Sequence, residues 1–151
     1  MFNIVLFEPE IPPNTGNIIR LCANTGAQLH LIHPLGFEMN EKALRRAGLD
    51  YHEYTSVNEY DNFADFILKA NPQRLFALTT KGSVHYCKVD YLPDDYFIFG
   101  PETRGLPEDL MSLDCVTHKV RLPMLAKSRS LNLSNTVAIM LYEALRQVDF
   151  K

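Results

Sequence analysis

The sequence lacks the short motifs that mark several common enzyme classes. It contains no GxGxxG after an apolar run, no GxxxxGK[ST] loop, no HExxH and no GxSxG. The usual signatures of dinucleotide-binding, P-loop, zinc-protease and serine-hydrolase proteins are therefore missing. The five histidines are scattered without metal-ligand spacing. We therefore predict no metal site.

Cysteines and long apolar runs are also scarce. Cys22, Cys87 and Cys115 are odd in number and form no CxxC pair, which favours reduced thiols acting as small buried hydrophobes over a disulfide framework. The first residues lack the basic leader and long apolar stretch of a secretory signal, and no run is long enough to span a bilayer. We therefore expect a cytoplasmic protein.

The sequence also has no excess of positive charge. The net charge is −3, which argues mildly against a nucleic-acid partner, because phosphate binding depends on Lys and Arg. The cations are nevertheless clustered in two short segments. These are Lys42, Arg45 and Arg46, and then Arg121, Lys127 and Arg129. Each cluster is open to two interpretations, a solvated face or an RNA-binding site.

What is present fits one globular domain over residues 1–151, with 46% hydrophobic residues. Short β-rich apolar runs predict strands, and segments of helical periodicity lie between them. The strands are predicted at residues 2–7, 29–33, 75–78, 96–99 and 116–122. This alternation predicts a single Rossmann-like α/β domain with a mostly parallel sheet and helices on both faces.

The helix boundaries follow from capping and breaking residues. We predict a stiff loop at residues 11–13 and a helix from Gly16 that is capped by Gly26. A second helix is predicted at residues 40–48, and a third is predicted to be capped by Ser56 with Glu59 at capping-box spacing. The last helix begins near Ser134 and is apolar around its circumference, which predicts burial on all sides. This helix is buried either against a second copy of the chain or against the rest of the same subunit.

Three loops that follow predicted strands contain many glycine, proline and small polar residues: residues 79–82, 100–107 and 123–135. Ligands of open α/β sheets bind where such loops converge. Glu102 and Arg104 could form a solvated ion pair in an ordinary turn. Asn132 or Ser134 could cap the last helix, leaving the other polar residues for a ligand.

Near the start of the first helix, Arg20 opposes the helix dipole. It therefore indicates an anionic partner, although a plain surface arginine is the alternative.

In this order, three motifs resemble those of the SpoU branch of the SPOUT methyltransferases. They lie at residues 14–20, 99–106 and 121–135. The likeness extends over nearly the whole chain to the TrmL (YibK) subgroup, including residues 8–12 and 45–52. That subgroup consists of tRNA (cytidine/uridine) 2′-O-ribose methyltransferases.

The resemblance implies a trefoil knot near the carboxyl terminus, a homodimer packed through the final helix, and S-adenosylmethionine as cofactor. It also implies that the substrate is the ribose 2′-hydroxyl of the wobble nucleotide, C or a modified U, in the anticodon stem-loop of leucine tRNAs. The implied cofactor residues are Leu78, Gly100, Leu122, Ser130 and Leu131. The implied catalytic residues are Asn14, Arg20, Glu102, Ser130 and Asn132, with Tyr142 as an auxiliary unless it is a core aromatic.

The RNA contacts are assigned to Arg20, Lys42, Arg45, Arg46 and Arg129. Arg20 is the proton acceptor usually suggested for the family, but a guanidinium has no acceptor site while it is protonated. We therefore interpret Arg20 as a phosphate clamp that also stabilises the developing alkoxide. Two alternatives stay open at this point: a noncatalytic RNA-binding protein of the same fold, or 2′-O-methylation of another RNA site.

Overall fold

One sheet of seven parallel strands organises the computed structural model, which describes residues 1–54, 56–126, 128 and 130–151. The strands are β1 Asn3–Phe7, β2 Gln28–Ile32, β3 Asn58–Tyr60, β4 Leu75–Leu78, β5 Val84–His85, β6 Tyr96–Phe99 and β7 His118–Arg121. The helices are α1 Pro12–Thr25, α2 Glu41–Arg46, α3 Tyr51–Tyr54, α4 Phe63–Ala70, α5 Glu108–Met111 and α6 Leu133–Gln147, and a 3-10 turn covers Tyr86–Lys88. The strand order is β3-β2-β1-β6-β4-β7-β5, which confirms the predicted parallel α/β fold.

The central strands are mostly apolar because both faces of the sheet are covered. In β1, Ile4 and Leu6 belong to a core on one face, where α1 and α6 pack. The intervening Val5 belongs to the other core, which includes Phe66 of α4 and Leu110 of α5. Helices therefore cover both faces, as predicted.

The first helix begins earlier than the sequence predicts. We expected a stiff loop before Gly16, whereas α1 starts at Pro12. Proline is favoured in the first turn, where its missing N–H would have no helical partner anyway. The predicted end is confirmed, since Gly26 has φ 77° and caps the helix.

The predicted capping box at Ser56 and Glu59 is wrong. Glu59 lies in β3, and α4 begins only after Asn62, whose side chain accepts a hydrogen bond from the Asp65 amide at 2.8 Å. Strand pairing with β2 has overridden the local capping pattern. The cap predicted for α2 is confirmed, because Asn40 accepts from the Ala43 amide at 2.8 Å.

The last helix is buried on one side only. Val137, Met140 and Leu141 are fully covered, but Ile139 is 40% and Tyr142 49% exposed. The prediction of burial on all sides is therefore wrong for the single chain, and so is the interpretation of Tyr142 as a core aromatic. The exposed positions of α6 are residues 135, 139, 142 and 146, each about one helical turn from the next, so they form a stripe along the helix.

A closed polar network lies inside the sheet. The imidazole of His30 is 5% exposed and hydrogen-bonds through Nδ1 to the Tyr60 hydroxyl at 2.8 Å and through Nε2 to Asn3 Oδ1 at 3.0 Å. Both ring nitrogens are thus satisfied within the protein. Burial lowers the pKa of His30 to about 4.

All three cysteines are free thiols, and only Cys22 is buried. Cys87 is exposed, so the prediction that each would act as a buried hydrophobe fails there. No helix within the described residues combines the length and apolar character needed to cross a membrane. The knot implied by the family resemblance stays a prediction.

Candidate active site

A cleft of about 470 Å³ opens at the carboxyl ends of β4, β6 and β7. The loops after these strands form its walls, and the first turns of α1 and α6 close it. Eight of the residues assigned to the cofactor site or to catalysis line this cleft: Asn14, Leu78, Gly100, Glu102, Leu122, Ser130, Leu131 and Asn132. The structure therefore brings together side chains from all three sequence motifs.

The Glu102 carboxylate fastens the loop after β6 to the start of α1. Its Oε1 accepts a hydrogen bond from the Glu10 amide at 2.8 Å, and its Oε2 accepts from the Ile11 amide, also at 2.8 Å. Oε2 also accepts from Asn14 Nδ2 at 3.2 Å. Because the next two residues are prolines, this carboxylate binds the last free amides before the helix.

A chain of amides continues from α1 to α6. Asn14 Oδ1 accepts from Asn132 Nδ2 at 3.0 Å. Asn132 Oδ1 in turn accepts from the Ser134 amide at 2.9 Å and from the Asn135 amide at 3.3 Å, and so caps α6. Each side-chain oxygen is used within the protein. The orientation of both amides is therefore fixed, and one N–H of each has no hydrogen-bond partner among the described residues.

The backbone itself is tightly packed at Gly100. A Cβ on this residue would lie 2.3 Å from the Leu106 amide nitrogen and 2.4 Å from the Gly105 carbonyl carbon. Gly105 has φ +69°, which a residue with a side chain rarely adopts. These two glycines let the loop after β6 fold back on itself and form one wall of the cleft.

Arg104 is held at the mouth of the cleft by acidic residues of the loop after β1. Its Nη2 lies 3.2 Å from Glu8 Oε1 and its Nε lies 3.6 Å from Glu10 Oε2. Glu10 also accepts hydrogen bonds from the amide and hydroxyl of Thr103, and these bonds lower the Glu10 pKa. The expected Glu102–Arg104 pair is therefore wrong: Glu102 binds amides, and Arg104 pairs elsewhere.

Arg20 does not line the cleft. It lies six residues after Asn14, or about 9 Å further along α1. Its guanidinium pairs with Glu53 of α3 at 2.9 and 3.3 Å and also donates to the carbonyl of Gly48. The Glu53 hydrogen bond raises the pKa of Arg20, so this side chain stays protonated.

The remaining predicted residues lie away from the cleft. Lys42, Arg45 and Arg46 are exposed on α2; Arg45 pairs with Glu41, whereas the other two form no ion pair with any residue that the structure describes. Tyr142 lies on the exposed side of α6. Arg129 lies outside the described residues.

Sequence reasoning missed Glu53 and the lining residue Thr136, and it identified the lining residues Thr79 and Thr80 only as part of the predicted loop at residues 79–82. The threonines follow a predicted strand or begin a predicted helix, so the loop rule that located the motifs applies to them too. No sequence signal indicates the Arg20–Glu53 pair, because its members are 33 residues apart. Within the described part of the chain, no group of three or more His, Cys, Asp or Glu is arranged to bind a metal ion.

Comparison with known proteins agrees with this geometry. A curated tRNA (cytidine(34)-2′-O)-methyltransferase of Escherichia coli K12 is 57% identical over 150 residues, covering 99% of this chain and 96% of the relative. A solved structure described as giving insight into 2-OH methylation of C/U34 on tRNA is 41% identical with a TM-score of 0.89, covering 100% of this chain and 98% of that chain. An AdoMet-bound rRNA methyltransferase from Sinorhizobium meliloti is 28% identical with a TM-score of 0.82, covering 97% of this chain and 56% of that chain.

The SpoU rRNA methylase family matches residues 1–142, which include all three motifs around the cleft. That match extends over most of the chain, and the chain therefore belongs to the SpoU rRNA methylase family.

Proposed function

We propose that this protein transfers a methyl group from S-adenosylmethionine to the ribose 2′-hydroxyl of nucleotide 34 in tRNA. One observation carries the proposal. The chain from Glu102 through Asn14 to Asn132 joins the three motifs around a single cleft. The relatives named for this reaction are similar over nearly the whole chain.

The cleft suits S-adenosylmethionine in size and chemistry. Its volume of about 470 Å³ lies within the usual range for small-molecule sites. Leu78 and Leu122 provide an apolar lining for an adenine ring, while the backbone around Gly100 offers polar groups at close range. We assign cofactor binding to these residues together with Ser130 and Leu131. The cofactor supplies an electrophilic methyl group on a sulfonium, so the reaction needs no metal.

The protein must hold the ribose oxygen in line with that methyl group. Asn14 and Asn132 suit this task, because each has an oriented amide with one N–H left for a ligand. Glu102 acts through Asn14, to which Asn132 is bonded in turn, since the two Glu102 oxygens already accept three hydrogen bonds. We therefore assign Glu102 as a positioning residue and Asn14, Asn132 and Ser130 as the groups that contact substrate or cofactor.

Arg20 fits the role of a phosphate clamp better than that of a proton acceptor. Its raised pKa keeps the guanidinium charged, and a charged guanidinium only donates. It lies beside the carboxyl end of α2, because its guanidinium donates to the Gly48 carbonyl, so an RNA strand that leaves the cleft over α1 would meet Arg20 together with Lys42, Arg45 and Arg46. We assign these residues, with Arg129, to binding of the anticodon stem-loop. Phosphate contacts of this kind weaken as salt concentration rises.

We further propose that the substrates are leucine tRNAs with C or a modified U at the wobble position, as in the TrmL subgroup, and that the protein acts in the cytoplasm. A homodimer through α6 belongs to the same proposal. Ile139 and Tyr142 are two neighbouring large hydrophobic side chains of α6 that are exposed in the single chain, and a second copy would cover them. Sedimentation equilibrium tests this: a mass of one chain at micromolar concentration contradicts the dimer.

The decisive experiment incubates the purified protein with methyl-labelled S-adenosylmethionine and unfractionated tRNA. The RNA is then digested, and the labelled nucleoside is identified by mass spectrometry. We expect a 2′-O-methylated pyrimidine that maps to position 34 of leucine tRNAs. A label at another position would establish the reaction but change the substrate. Cofactor binding without any methylation of tRNA or ribosomal RNA would favour a noncatalytic RNA-binding protein.

A further inference from the structure

A strip of positive charge borders the cleft on the side away from α2. Its positive charges are those of Lys81, Lys119 and Arg121, and the imidazole of His85 lies beside Arg121; these four residues are hereafter the edge strip. Pairing between the strands places its members together: Arg121 of β7 lies beside His85 of the edge strand β5, and Lys119 lies two residues earlier on the same face of β7. Side chains two apart on a strand are about 6.6 Å apart along it.

The edge strip carries more positive than negative charge. Arg121 Nη2 donates to His85 Nε2 at 3.1 Å, and Lys81 pairs with Glu108 of α5 at 2.6 Å. The hydrogen bond from Lys81, and then the positive charges of Lys81 and Lys119, lower the Glu108 pKa, so this one carboxylate interacts with two lysines. Asp109, next on α5, accepts from the Leu110 amide. Neither Lys119 nor Arg121 forms an ion pair with a residue that the structure describes, and both are exposed.

The position of the edge strip relates it to the reaction site. Lys81 directly follows the lining residues Thr79 and Thr80, and Arg121 directly precedes the lining residue Leu122. In the strand order, β7 forms one edge of the cleft and β5 lies beyond it, whereas β2, which leads into α2, lies beyond the opposite edge. When the reactive nucleotide of an RNA enters the cleft, the backbone on its 5′ side and the backbone on its 3′ side leave the cleft in different directions.

We propose that the edge strip binds the phosphate backbone of the substrate RNA on the side of the cleft opposite to α2. This inference rests on the proposed function. Exposed Lys and Arg without matching carboxylates favour a polyanion, because each phosphate contact releases condensed counterions. The chain as a whole has a net charge of −3, so this local excess of cations is not a consequence of overall composition.

The test compares tRNA binding by the wild type with binding by the Lys119→Ala/Arg121→Ala double variant. Affinity for unfractionated tRNA is measured by fluorescence anisotropy over a series of salt concentrations. We expect the double variant to bind about tenfold more weakly at low salt, and the slope of log affinity against log salt to be smaller by about two. Affinity for S-adenosylmethionine should stay unchanged.

The matched control is Lys69→Ala/Lys151→Ala, which removes the same charge. Lys69 is near the end of α4 and Lys151 follows α6, whose first turn closes the cleft and whose 15 residues extend about 22 Å from it. We expect this control to keep the wild-type salt slope. Lys119→Glu serves as a second variant, because Arg121 adjoins the cofactor cleft and Lys119 does not.

Unchanged affinity and salt slope in both edge-strip variants would overturn the proposal. A changed oligomeric state with an unchanged slope would also overturn it, because the edge strip would then be an interface between copies. Failure of the proposed function looks different. In that case the wild type would not methylate tRNA at all, whatever the edge-strip variants do to RNA binding.

Discussion

The molecule contains two polar networks of similar chemistry: one lines the cleft, and the other is enclosed within the sheet. The network of Glu102, Asn14 and Asn132 lies at the carboxyl ends of the strands and lines the cleft, and one N–H of each asparagine has no partner among the described residues. The network of His30, Tyr60 and Asn3 is closed, since both nitrogens of the imidazole are bonded inside the protein. The comparison teaches that hydrogen-bond satisfaction alone does not identify a site. What distinguishes the two is whether donors remain for a ligand.

The largest expected effect concerns the wall of the cleft. Gly100→Ala should weaken S-adenosylmethionine binding by at least about a hundredfold, because the new Cβ would overlap the backbone of Gly105 and Leu106 and shift this wall by a large part of 1 Å. Isothermal titration measures the affinity. Gly16→Ala is the matched control, since its Cβ would meet only the Ala47 Cβ at 4.0 Å. Equal affinities in the two variants would show that the close approach at Gly100 is unimportant.

The closed network should appear in stability as a function of pH. The unfolded His30 imidazole binds a proton near pH 6.5, whereas the folded one binds it only near pH 4. The unfolded state therefore takes up more protons between these values, so the free energy of unfolding should fall by about 3 kcal/mol as pH drops from 6.5 to 4. Urea unfolding at several pH values measures this. His30→Gln should flatten the dependence; an unaltered slope would assign it to other groups.

Changes in the cleft network should affect turnover more than stability, whereas changes in the closed network should affect stability alone. Asn14→Ala breaks the link between Glu102 and Asn132, so we expect turnover at pH 7.5 to fall about thirtyfold, equivalent to about 2 kcal/mol. The same assay of His30→Gln should find wild-type turnover. The loss of turnover, expressed as a rise in activation free energy, can be compared with the loss of unfolding free energy. If Asn14→Ala costs more in unfolding free energy than in activation free energy, the distinction between the two networks fails.

The smallest effect tests how Arg20 is held. Glu53→Gln weakens the ion pair that holds the guanidinium but keeps a hydrogen-bonding side chain, so turnover should fall about threefold with unchanged affinity for S-adenosylmethionine. Glu59→Gln is the control, because Glu59 also forms an exposed pair, with His33. Matching kinetics in the two variants would mean that Glu53 has no part in positioning Arg20.

The parts of this structure that local pattern determines could be predicted from sequence. Apolar runs located β1, β4 and β6, and the loops after strands located most of the cleft. Strand β3 was missed because its pairing with β2 comes from residues about 28 apart, which no local pattern encodes. The exposed stripe of α6 was missed because hydrophobicity alone does not tell which apolar side faces the sheet.

Side-chain partners were harder to predict than positions. Glu102 was identified as a site residue, but its hydrogen bonds to the Glu10 and Ile11 amides connect residues more than 90 apart in sequence. The partners of Arg20 depend likewise on how α3 packs against α1. Residue type and motif therefore indicated where the chemistry lies, and only the three-dimensional arrangement separates the groups that contact a ligand from those that hold them.

The hydrogen bond between Asn14 and Asn132 spans 118 residues of sequence. A chain emerging from the ribosome can complete β1 and α1 early, but it has no cleft until the segment around residue 132 has also emerged. Contacts between such distant segments form late and slow folding, since the intervening loop must close first. The ability to bind a cofactor should therefore arise in one late step of synthesis, and an incomplete chain should not compete for it.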